Sequence, residues 1–193
     1  MKEVGLGKIT WGYIWRAFLW MLAISLVFTT IWSMISGIDN VSNYSELMGS
    51  YKIYIIGMVI LNALGVFLSC KWATKGIQKK FVINENNKPQ VVKAISIVLI
   101  VAAIINGIYG INQTAAIEEA IDDIEKAMSG YNALSSITGV DDETKDIAYE
   151  INEFVDFIEF MTPVVVVINA ASFIVMIPFE KKFLNKENEV KAK

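Results

Sequence analysis

Four stretches of this chain, residues 17–36, 53–70, 94–111 and 160–179, are strongly apolar and contain no charged residue. A helix needs about 20 mostly apolar residues to cross the hydrocarbon core of a bilayer. Helices buried in a soluble bundle keep a polar stripe for solvent. These four runs have no such stripe. Net charge is only -3 and 54% of the residues are hydrophobic, too few polar groups to cover a soluble domain of 193 residues. The expected fold class is therefore all-α: a single four-span integral membrane domain over 1–193.

Placement of lysine and arginine orients the spans. Fourteen of the 17 basic residues lie before span one, between spans two and three, or after span four. The opposite face receives only Lys52, Lys126 and Lys145. With an even number of crossings, both termini are expected in the cytoplasm. The first span is too long for a signal peptide and has no small-residue cleavage site after it, so it reads as a retained anchor. Trp11, Tyr13, Trp15 and Trp72 are expected at the inner boundary, and Trp32, Tyr51 and Tyr54 at the outer one, as aromatic belts. Sixteen lysines to one arginine, with abundant Ile and Asn, suggest a bacterial chain and hence the cell membrane.

Polar groups inside hydrocarbon need partners. Asn62, Asn106 and Asn169 fall within spans two, three and four and are the candidate interhelical polar contacts. A polar pathway is the other reading, but transport sites usually contain ionisable groups and these runs have none. Gly57, Gly65, Ala103, Gly107 and Gly110 allow helices to approach closely. Pro163 falls in the first turn of span four, and Pro178 is placed to end or kink that helix.

Between spans three and four lies an acidic insertion. Residues 112–159 hold 13 Asp and Glu against two lysines. Ile117, Ile121, Ile124 and Met128 recur at helical spacing, as do Ile147, Ile151, Phe154 and Ile158. These eight residues are the candidate seam of an extracytoplasmic antiparallel helical hairpin over 113–158. A linker rich in Ser and Gly, with Gly130 and Gly139 as helix breakers, is expected between its arms. The acids do not follow an EF-hand pattern, so no metal site is expected.

Lys71, Lys75, Lys79 and Lys80 follow span two directly and are candidate contacts for anionic lipid headgroups. The chain has no histidine, and one cysteine, Cys70, which excludes an internal disulfide. Nucleotide, zinc, haem and hydrolase motifs are absent. No catalytic residue and no cofactor are expected. The function expected is that of a non-enzymatic accessory or interaction subunit. The alternative is a transporter or channel subunit whose pathway forms on oligomerisation. Expected partners are membrane lipids and another membrane protein or a second copy of the chain, and no nucleic acid.

Overall fold

The computed structural model describes residues 5–35, 44–83, 85–138 and 142–191. They form four helices: α1 (Leu6–Ile35), α2 (Tyr44–Lys80), α3 (Lys88–Thr138) and α4 (Asp142–Lys191). Each is long and apolar enough to cross a membrane. The chain thus has the architecture of an all-α, multi-pass membrane bundle. Large apolar side chains such as Val27, Ile60, Ile105 and Val167 point outward, as lipid-facing residues do.

The helices run well beyond the uncharged stretches. Helix α3 has 51 residues and α4 has 50, each about 75 Å at ~1.5 Å per residue. Gly130 does not interrupt α3, which continues to Thr138. A glycine inside a helix costs about 1 kcal/mol relative to alanine, too little to stop so long a ladder. Pro163 is not in a first turn, since α4 begins 21 residues earlier, and the helix also passes through Pro178. Beside Pro163, the Thr162 hydroxyl donates to the Ile158 carbonyl of its own helix at 2.7 Å.

The connection between α2 and α3 is short. The Phe81 amide closes α2 on the Ile77 carbonyl, and the Asn87 carbonyl accepts from the Val91 amide to open α3. Pro89 stands in the first turn of α3, where its missing N–H is of least consequence.

Helices α2 and α4 run parallel and side by side. Asn62 meets Asn169, Thr74 meets Glu180, and Gln78 reaches the carbonyl of Leu184, a register offset of 106 or 107 residues throughout. Helix α1 packs on α2, and α3 packs antiparallel on α4, whereas α1 and α3 touch only sparsely. A glycine permits the close approach of α3 to α4. A Cβ on Gly110 would lie 2.7 and 2.8 Å from the Val166 methyls, while one on Gly107 would sit 4.0 Å from Ala170. Small residues at such crossings are what allows helices to associate by van der Waals contact in lipid.

The core occupies the end of the bundle that carries the lysines. Ile9 and Tyr13 of α1, Val66 and Ile77 of α2, Ile95 and Leu99 of α3, and Met176 and Leu184 of α4 are buried there together. Tyr13 is therefore a core residue rather than part of an aromatic belt, whereas Trp11 and Trp15 are exposed. Trp72 packs against Trp20 of α1, with ring centroids 4.4 Å apart and the rings tilted by 54°. The side chain of Trp32 lies outside the described residues.

Candidate functional site

Beyond the core, toward the acidic end, the four helices separate around a cavity of about 800 Å³. Its wall is formed by residues within 18–28 of α1, 54–65 of α2, 106–117 of α3 and 158–169 of α4. The lining is mostly apolar, with Phe18, Met21, Met58, Met161 and Val165 among it, and it includes no Asp, Glu, Lys or Arg. Size and lining match those of small-molecule sites, which are apolar with a few placed polar groups.

Asn62 Nδ2 donates to Asn169 Oδ1 at 2.6 Å on this wall. Among the described residues this single bond leaves Asn62 Oδ1 and the remaining Asn169 N–H groups without a protein partner. Asn106 also lines the cavity, but its Nδ2 donates to the Ala102 carbonyl of its own helix at 2.9 Å. The three asparagines within the spans thus divide into an interhelical pair and one that bonds along α3. Tyr54 faces the same cavity, as does Tyr109, whose hydroxyl accepts from Gln113 Nε2 at 3.0 Å.

A second polar cluster lies inside the core. Glu180 of α4 has 0% exposed surface, as does Thr74 of α2. The Tyr13 hydroxyl donates to Glu180 Oε1 at 2.9 Å, and the Thr74 hydroxyl donates to Oε2. Each carboxylate oxygen thus holds one hydroxyl, and the three residues come from three helices. No lysine or arginine pairs with Glu180 among the described residues. Cys70 is buried in the same core cluster as Tyr13. Ser69 is also fully buried, and its Oγ has no partner among the described residues, unlike Ser96 and Ser172, which bond back to their own helices. An ionisable residue so enclosed normally marks function or a structural lock.

This cluster escapes a reading by uncharged runs, because Glu180 directly follows the last one. The signal that could reveal it is periodicity. Phe173, Met176, Glu180 and Leu184 are spaced three, four and four apart, so the glutamate stands on the buried seam of α4.

Lys71, Lys75 and Lys79 recur every fourth residue and form an exposed stripe with Lys80 beside it, while Ala73, Thr74, Ile77 and Gln78 on the other face of α2 are buried. The Lys80 Nζ lies 5.8 Å from the Phe81 ring centre. Nearby, the aliphatic part of Arg16 crosses α2 at Gly76, where a Cβ would come within 2.6 Å of its Cδ.

The candidate seam residues differ among themselves. Ile121 is buried at 6% exposure and Ile124 is exposed at 42%. Ile117 and Ile158 line the cavity together. Ile151 is half-buried. Phe154 turns to α2, where its ring meets Tyr51 edge-on at 6.4 Å. Val155 is the buried residue on that part of α4. The side chains of Met128 and Ile147 lie outside the described residues. Glu118, Glu119, Asp122, Asp123, Asp156 and Glu159 are exposed, and Lys52 Nζ approaches Glu153 at 3.6 Å. Among the described residues no three His, Cys, Asp or Glu converge as a metal site.

Comparison with protein-family models, with curated proteins and with solved structures finds no match to this chain.

Proposed function

We propose that the chain is a non-enzymatic accessory protein of the cell membrane, with both termini in the cytoplasm. Its acidic α3–α4 extension stands outside as a helical hairpin and engages a basic surface on another membrane component. The supporting observation is the continuity of α3 and α4. About 20 residues suffice to cross hydrocarbon, yet these helices have 51 and 50. Much of the excess lies within 112–159, where acids outnumber lysines 13 to two. A helical projection of one charge sign favours a partner of the other sign and speeds encounter with it. On the opposite side, the Lys71, Lys75 and Lys79 stripe is suited to anionic headgroups, at about 1 kcal/mol per lysine near the surface.

The test is purification of the full chain in mild detergent, with identification of the proteins that accompany it. Replacing Glu118 and Glu119 with Gln, and Asp122 and Asp123 with Asn, should release such a partner without changing the melting temperature. Raised salt should do the same. A partner retained equally by the neutralised chain refutes this role for the hairpin.

The cavity favours a second reading, a transporter or channel subunit. Its basic end is closed by the packed core around Glu180, so conduction would require opening there or assembly with further copies. A solute flux in proteoliposomes that is altered by Asn62→Leu at unchanged thermal stability would favour this reading over the first.

A further inference from the structure

We propose that the cavity among the four helices binds an uncharged acyl lipid bearing a free hydroxyl, of the monoacylglycerol class. The site is independent of any role of the acidic hairpin.

The lining determines the charge of the ligand. Among the described residues no acidic or basic side chain reaches the cavity, so a fatty acid anion or a phospholipid headgroup would bury its charge without a counter-ion. The Asn62–Asn169 pair determines the polar group. One bond joins the two amides at 2.6 Å, leaving an acceptor on Asn62 and N–H donors on Asn169 unused among the described residues. A hydroxyl both donates and accepts, so a single hydroxyl can answer both. Each such amide group left unpaired in hydrocarbon costs free energy that a ligand hydroxyl would offset. Methionine and aliphatic walls, with Met58, Met161 and Val165 among them, suit a flexible chain.

The packing provides the entry. Helices α1 and α3 make the sparsest of the substantial helix contacts, and both contribute to the cavity wall. A lipid can therefore enter sideways from the bilayer between them. The closed core blocks the basic end. The arrangement is thus a lateral pocket rather than a channel.

The experiment uses the full chain in phosphatidylglycerol nanodiscs and three probes: monoolein, oleate and octadecane. Monoolein should be retained in native mass spectrometry and should raise the melting temperature. Oleate and octadecane should do neither. Val165→Phe, which places a ring in the cavity one helical turn from Asn169, should weaken monoolein retention while the bundle still melts cooperatively. Asn62→Leu combined with Asn169→Leu should weaken retention by about tenfold or more. If that double variant fails to fold, Val165→Phe decides. The proposal is overturned if monoolein is not retained, if octadecane or oleate binds equally well, or if folded Val165→Phe retains monoolein unchanged.

Discussion

Asn62 of α2 donates to Asn169 of α4 across 2.6 Å, joining two helices that run in the same direction. Each sits in a similar local sequence, Ile-Leu-Asn-Ala at 60–63 and Val-Ile-Asn-Ala at 167–170. Equivalent turns of two parallel neighbours therefore meet at one amide pair. Replacing either asparagine with Leu should destabilise the bundle by about 1 kcal/mol. The double replacement should cost less than the sum of the two, because the second change removes no further bond. Reversible unfolding in detergent measures the cycle, and strict additivity would show that the bond contributes nothing.

Glu180 presents a sharper contrast. Glu180→Gln keeps an acceptor oxygen for one hydroxyl and nearly all of the volume. Glu180→Ala leaves both the Tyr13 and Thr74 hydroxyls without their acceptor and opens a void. Loss for the alanine variant should be about 2–4 kcal/mol, and for the glutamine variant about 1 kcal/mol or less. Equal losses in thermal unfolding would mean that the cluster is not read correctly as a lock.

Gly110 has no room for a side chain against Val166, whereas Gly107 has room for a methyl against Ala170. Gly110→Ala should therefore cost about 1–3 kcal/mol by forcing α3 and α4 apart. Gly107→Ala should be close to neutral. Val166→Ala in the Gly110→Ala background should restore part of the loss, a rescue readable by the same unfolding measurement.

Cys70 cannot report topology, since its thiol is buried at 3% exposure and should resist reagents added from either side. Cysteines introduced at exposed positions can. Glu118→Cys should react with a membrane-impermeant maleimide in intact cells, and Lys75→Cys only after permeabilisation. The reverse pattern would invert the proposed orientation.

Ile121 and Ile124 lie three residues apart with opposite environments. Ile121→Asp buries a charge and should remove hydrogen-exchange protection from residues near 116–158 while leaving the four spans protected. Ile124→Asp should change protection little. A similar loss for both variants would contradict the packing of α3 on α4 in this region.

The four crossings were legible because hydrocarbon demands long uncharged runs, and those runs stand out in the sequence. Helix ends were less legible. The change of composition after Ile111 resembles a boundary, yet α3 continues because the next residues trade an all-round apolar surface for a one-sided one without changing period. Phe154 shares the period of its seam but packs on Tyr51, since periodicity gives a face and not the neighbour that covers it. Glu180 was hidden because an acid at the end of an apolar run reads as solvated flank. Only its hydroxyl partners, Tyr13 and Thr74, distant in sequence, make it an interior residue.

The two long helices differ in one mechanical respect. Helix α3 carries its only proline, Pro89, in its first turn, so its ladder is otherwise continuous and it behaves as a stiff beam. Helix α4 has Pro163 and Pro178 in its interior. Pro163 cannot donate to the carbonyl of Glu159, nor Pro178 to that of Ile174, which makes two compliant joints. The stretch between them carries Asn169 and Val166, and Glu180 lies just past the second joint. A sideways load on the acidic end would therefore flex α4 against an unyielding α3. The cavity wall around Pro163 would absorb that strain first, before it reached the anchored carboxylate.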